Sequence, residues 1–326
     1  MSDGERKSSC DSGEQMHRPP PLRPAAVIGI IAPSSPVKDD LLIRGRQYLS
    51  QAGYHTVVGD SIAERQHHLA GTDEQRLADI YRMFNDSGVD AVFAARGGFG
   101  CAKLLDRLDY TVFSGQPKLL VGYSDITALQ LALWQHSRLP TISGPMVAVE
   151  MARPGMINEP LFWGLLGGVP LAETSAMMSR YLNEWVAFDR PQPIKGRLLG
   201  GTLSVIASLA GSRFLPDFSN AVLILEEHGE RLYRLDRYLT QLRLAGVFAK
   251  VSMVILGQML LPDQEEQPLL APFLRNFFAN DHFPVVYNFR YGHCSNSFIF
   301  PQGATASIDL PACRITLLDH CVSLAS

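Results

Sequence analysis

From Ala25 the polar opening of the chain gives way to AAVIGIIAP, a short β-branched run closed by proline and serines, which predicts a buried strand and its loop. Helical spacing follows at LLIRGRQYLSQAG, an apolar run at HTVVGD, helical spacing again at TDEQRLADIYRMFND behind the N-cap candidate Thr72, and another run at DAVFAA. The alternation continues through a helix CAKLLDRL, a strand KLLVG, a helix DITALQLALWQHS and a strand LPTISG. Strands and helices in turn predict an α/β fold, a mainly parallel sheet with helices on both faces. Ligands of such sheets gather beyond the carboxyl ends of the strands, where RGGFG (96–100) and GYSD (122–125) fall.

Prolines, glycines and weak periodicity mark a connection near 152–193. A second unit starts at IKGRLLGGTLSVIASLAGS and reads as a strand AVLILEE, a helix YRLDRYLTQLRLAG ending at a glycine, a strand VSMVILGQM, a helix PFLRNFFAN and strands near FPVVYNF and ATASIDL. The expected division is a tail at 1–24, an N-terminal domain at 25–160, a connecting segment at 161–193 and a β-rich C-terminal α/β domain at 194–326. No internal repeat is evident.

Composition narrows the function. With 46% apolar residues the 326-residue chain can bury a large core, and 29 Lys and Arg against 32 Asp and Glu leave no basic field for nucleic acid or an acidic membrane. Cys10, Cys101, Cys294, Cys313 and Cys321 are scattered and odd in number, which argues against a disulfide framework or a thiolate metal site and fits a reducing cytoplasm. The first 24 residues lack the apolar core of a secretory signal and are expected to be disordered; no later segment reads as a membrane span.

Ser124 stands where a strand hands over to a helix, a geometry that serves a nucleophile and equally one that lets Ser124, Asp125 or Thr127 cap the helix. The full G-x-S-x-G elbow is absent because Ile126 replaces its last glycine. A serine nucleophile needs a base held by a carboxylate. Glu226 and Glu227 end the run AVLIL and point to opposite faces of their strand, so at most one can serve. His293 follows the run VVYNF at another strand-to-loop boundary. The other histidines read as bland: His67 and His68 as loop residues, His228 as a turn residue able to face Glu226, His17 and His320 as tail residues, and His55, His136 and His282 without acidic or nucleophilic company. RGGFG lacks both nucleotide-binding glycine patterns. Its Gly97 and Gly98 can bring backbone N–H groups to a ligand or make a tight turn, and Arg96 can pair with a substrate carboxylate or a neighbouring acid.

Taken together, IAPSSPV (31–37), AGTDEQRLADI (70–80), ARGGFGCAKLLDRLDY (95–110), GYSDITAL (122–129) and SGPM (143–146) resemble the LD-carboxypeptidase family, the muramoyltetrapeptide carboxypeptidases. GRLLGGTLSVIASLAGS (196–212), LILEEHGERLYRLDRYLTQLRLAG (223–246), VILGQ (254–258) and YGHCSNSFIFPQGATASID (291–309) carry the resemblance through the second half. It implies a two-domain serine peptidase with its active site at the domain interface: Ser124 as nucleophile, His293 as base and Glu226 as the carboxylate. Capping then falls to the neighbours of Ser124. Two departures stand out: the family's Glu-Asp reads Glu226-Glu227, and its Gly-Gly-Asn-Leu has Thr202 in place of Asn.

The mechanism expected is amide hydrolysis through an acyl-enzyme, the oxyanion held by the N–H groups of Asp125 and Gly98, with Arg96 and Gly97 at the substrate and no cofactor or metal. The resemblance further implies release of D-alanine from murein tetrapeptide at an L,D-bond, in the cytoplasm, by a homodimer. Cleavage of peptidyl-nucleotide antibiotics as a self-immunity function is the alternative within the fold, and a non-catalytic ligand-binding module the alternative outside it.

Overall fold

The computed structural model describes residues 15–184 and 192–324. The N-terminal half builds β1 (Val27–Ile31), α1 (Asp39–Gln51), β2 (His55–Val58), α2 (Asp73–Asn85), β3 (Ala91–Ala94), α3 (Thr111–Gly115), β4 (Leu119–Gly122), α4 (Ile126–Ser137) and β5 (Thr141–Ser143). The next segment forms α5 (Glu159–Gly167) and α6 (Leu171–Ser179). The C-terminal half gives β6 (Ile194–Thr202), α7 (Leu203–Ser208), β7 (Ala221–His228), α8 (Leu232–Leu244), β8 (Met253–Leu260), α9 (Gln267–Phe277), β9 (Val285–Val286), β10 (Phe300–Gln302), β11 (Thr305–Asp309) and β12 (Arg314–Leu317).

Two six-stranded sheets result, in the orders β10-β5-β4-β3-β1-β2 and β12-β11-β6-β7-β8-β9. In the first, β1 to β5 are parallel and β10 runs antiparallel at the edge. The second has a parallel core β6 to β9 with β11 and β12 antiparallel beside it. The continuous apolar runs are explained by burial on both faces: every residue of β3 and β4 is buried. Thr72 caps α2 in a full capping box with Gln75, as its position before the helical spacing predicts.

Several local expectations change. CAKLLDRL is no α-helix but two 3-10 turns, Cys101–Lys103 and Leu105–Arg107, in which the N–H groups of Lys103, Leu104 and Arg107 bond carbonyls three residues back. Residues 1–14 lie outside those described, whereas 15–24, also expected to be disordered, are anchored: His17 N–H bonds Arg138 O, Leu22 N–H bonds Leu166 O, and the Leu22 side chain is buried. Backbone pairing with residues distant in sequence supplies the order that composition alone does not. The segment 161–193 holds most of α5 and α6 rather than irregular chain, and Ser175 and Ser179, one helical turn apart, accept the Leu317 and Ile315 N–H groups that β12 leaves free at its edge. The domains are also interlocked, since β10, late in the chain, pairs with β5 in the N-terminal sheet.

Helix α4 joins the halves. It is apolar nearly all round and buried on nearly every side, as a helix between two layers must be. At its first turn Thr127 Oγ1 accepts the N–H of Thr202 at 3.3 Å. Gly201, at φ +142°, lets the C-terminal domain come this close, because a Cβ there would lie 2.3 Å from Thr127 Oγ1.

Candidate active site

The loops after β1, β3, β4 and β5 meet at the carboxyl edge of the first sheet, as the fold rule requires. Asp125 ties three of them: its carboxylate accepts the Ser34 hydroxyl at 2.6 Å and the Cys101 N–H at 2.9 Å, and it is buried. The fully buried guanidinium of Arg76, paired with Asp73, donates to the carbonyls of Pro33 and Gly100 and locks the same loops from below. Scattered motif pieces thus prove to be one cluster. Asp125 occupies the N-cap position of α4 without a side-chain cap bond, and Thr127 is engaged across the domain boundary, so the expectation that neighbours of Ser124 cap the helix is not met: those side chains are spent on joining loops and domains.

Ser124 has φ +62°, the left-handed region that costs an L-residue with a side chain about 1–2 kcal/mol. The sharp turn lifts its side chain into a cavity of about 400 Å³ that Arg96, Gly97, Gly98 and His293 also line. Gly97 touches the serine directly, since a Cβ there would stand 2.8 Å from Ser124 Cβ and 2.9 Å from Oγ. Gly98, at φ +125°, is braced by Ser35, whose Oγ accepts the Phe99 N–H at 3.3 Å. Gly97→Ala is therefore expected to lower kcat/KM about 100-fold or more by displacing Ser124, with the fold retained, as kinetics alongside a melting curve will report.

From the other domain, His293 Nδ1 and Glu226 Oε2 are 2.8 Å apart, the histidine side chain 26% exposed and the glutamate 0%. Burial works against a charge on His293, but the hydrogen bond and charge of Glu226 outweigh it and hold the imidazole above its ordinary pKa. The second carboxylate oxygen of Glu226 accepts the hydroxyl of Thr202, the residue at which the sequence departs from the Gly-Gly-Asn-Leu pattern. Room for Glu226 comes from two glycines: a Cβ on Gly292, at φ +121°, would lie 2.7 Å from Oε2, and one on Gly257 3.1 Å from its Cβ. Glu227 points the other way, accepting the N–H of Ser204 at 2.7 Å at the start of α7, and burial, opposed by that bond and aided by the charge of Glu226, pushes its carboxyl up to about 7. Strand alternation divides the two acids as the sequence anticipates.

Ser124 and His293 thus line one cavity, although among the described residues no hydrogen bond joins them. Arg96 lines it too, with one N–H held by the Pro36 carbonyl at 3.2 Å. Two cationic lining residues escaped the sequence reading. Lys38 and Arg153 add cations from the loops after β1 and β5, and nothing in their local sequence marks them. His228 is the last residue of β7 rather than a turn residue, and its ring stacks on His293 with centroids 4.9 Å apart. Its signal was the Glu-x-His spacing, which puts both side chains on one face of a strand.

Residues 28–144 match the profile of the LD-carboxypeptidase N-terminal domain and residues 195–308 that of the C-terminal domain. The probable murein peptide carboxypeptidase of Bacillus subtilis is 30% identical over 90% of this chain and 92% of its own. The murein tetrapeptide carboxypeptidase of Pseudomonas aeruginosa is 30% identical over 86% of this chain and 92% of its own. MccF, the microcin C7 self-immunity protein of Escherichia coli, shares the fold: a structure of MccF in complex with glutamyl sulfamoyl guanosine has a TM-score of 0.83 at 22% identity, over 94% of this chain and 99% of that one. With both domain profiles matched in order and relatives aligned over nearly their whole length, the chain belongs to the LD-carboxypeptidase family and is a serine-type peptidase, a hydrolase.

Proposed function

We propose that the enzyme releases terminal D-alanine from murein tetrapeptide by hydrolysing an L,D-amide bond through an acyl-enzyme on Ser124. The observation that carries the reading is the hydrogen bond of 2.8 Å between buried Glu226 and His293, which lines the cavity into which the Ser124 turn opens. With Nδ1–H donated to Glu226, the Nε2 of His293 is free to take the Ser124 proton as Oγ attacks the scissile carbonyl. Gly98 and Asp125 N–H groups hold the oxyanion; Gly97, packed on Ser124, keeps that loop at the reacting carbon. The proton then passes from His293 to the leaving amine of D-alanine, the ester forms, and water activated by the same imidazole cleaves it.

An exopeptidase must read a free carboxylate, and cations suit it. Arg96 fills this role, with Lys38 and Arg153 on the same cavity and no carboxylate side chain among its lining residues. The test is incubation with murein tetrapeptide and, separately, with an aminoacyl-sulfamoyl adenylate. D-alanine release from the first, with kcat/KM falling as pH drops through a value above the ordinary 6.5 of histidine, supports the reading. Cleavage of the second alone assigns the self-immunity function, and cleavage of neither leaves a ligand-binding module. The same reading places the enzyme in the cytoplasm as a homodimer, for which light scattering and fractionation are the checks. Among the described residues no helix is long and apolar enough to cross a membrane.

A further inference from the structure

The hydrogen bond from His293 to Glu226 fixes one ring nitrogen but leaves the imidazole free to tilt about the Nδ1···Oε2 line. A tilt of tens of degrees would carry Nε2 away from Ser124. Two other rings touch the base. Tyr123 lies with its centroid 5.0 Å from that of His293 at 58°, and its hydroxyl is held by Glu150 at 2.7 Å. His228 lies 4.9 Å away at 22°, close to parallel. Its backbone is fixed two residues beyond Glu226 on β7, where its N–H bonds Glu227 at 3.0 Å, and its exposed ring lies over His293.

We infer that His228 is a positioning residue for the base: stacked on His293 at the cavity wall, it holds the imidazole in the plane that serves Ser124 and presents a neutral ring face when His293 takes the proton. This rests on the triad reading above. The charged groups around the pair are Glu226 and Glu227 on β7, Glu150 behind Tyr123, and Lys38, Arg96 and Arg153 on the cavity wall. Burial, together with the charge of His293 and against that of Glu226, keeps His228 below its ordinary pKa, so the first proton goes to His293. A neutral imidazole face attracts the imidazolium beside it, whereas a second proton would repel it.

The experiment compares His228→Ala and His228→Phe with the wild-type enzyme in kcat, KM, thermal melting and histidine NMR titration. His228→Ala is expected to lower kcat about tenfold with KM within about twofold, and His228→Phe, which restores a ring, to recover kcat to within about threefold. In the wild type, His293 resonances should show an inflection that coincides with the titration of His228, and this inflection should vanish in His228→Phe. Wild-type kinetics in His228→Ala, a Phe variant no better than Ala, or a His293 titration indifferent to residue 228 would each overturn the inference. Ser124→Ala separates the two levels: if it retains turnover the triad itself fails, and if it is inactive while His228 variants are silent, only the role of His228 fails.

Discussion

Replacing Ser124 with alanine is expected to lower kcat at least about 10⁴-fold, close to 5.5 kcal/mol of transition-state stabilisation, while leaving KM within a few-fold. On the proposed mechanism the acyl-enzyme has no other route among these residues: His293 serves as the base, Glu226 is bonded to it and is not among the residues that line the cavity, and the loop glycines offer only backbone. Residual turnover would come from the oxyanion donors and the cations. The same position makes a second, opposite forecast about stability. At φ +62° serine pays for its Cβ, so Ser124→Gly should melt higher than Ser124→Ala, on the order of 1 kcal/mol more stable, though equally inactive. Steady-state kinetics and calorimetry on the two variants check both. Turnover within tenfold of the wild type would remove Ser124 from the nucleophile role.

Glu226→Gln is expected to lower kcat by about 10³ to 10⁴ with little change in KM. The carboxylate is fully buried and accepts from two donors, His293 Nδ1–H and the Thr202 hydroxyl. An amide of the same shape has one accepting oxygen, so its NH₂ must face one of those donors. If the imidazole yields, it turns over to the other tautomer and places a proton on Nε2, where a base is needed. If Thr202 yields, its hydroxyl rotates and the penalty on the base is smaller. Thr202→Val in the Glu226→Gln background separates the cases. Removing the hydroxyl should let the amide turn its oxygen to Nδ1–H and make the double variant faster than the single one if the imidazole is what turns, and should leave the two alike if Thr202 is what yields. Histidine NMR reads the tautomer directly, and turnover within tenfold of the wild type would take Glu226 out of the catalytic unit.

The apolar runs led directly to the strands of the first sheet because strands buried on both faces must be apolar throughout. Thr72 was equally plain, its capping box being a local affair of four residues. CAKLLDRL has a helical pattern but folds as two 3-10 turns on a loop that contacts far along the sequence tie down, Cys101 N–H to Asp125 and the Gly100 carbonyl to Arg76. The order of residues 15–24 was hidden in the same way, in carbonyls of Arg138 and Leu166. At the site, Ser124, Glu226 and His293 were legible as strand-end residues of the right chemistry. Lys38 and Arg153 were not, since an exposed cation in a loop looks the same whether it faces solvent or substrate.

By itself the sequence determined the class of fold, the strand ends at which chemistry could sit and, through motifs spread over both halves, the family. Periodicity and turn residues are written locally, so they survive reading one stretch at a time. Only the tertiary structure decided which of two adjacent glutamates turns to His293, that Thr202 bonds the chosen one, and that His228 stacks on His293. Those outcomes depend on strand register, on a bulge between Leu225 and Glu227, on Gly201 letting the two domains close on one another, and on Gly257 and Gly292 making room for Glu226. Such choices are settled by packing between residues far apart in the chain, where no short stretch carries the information.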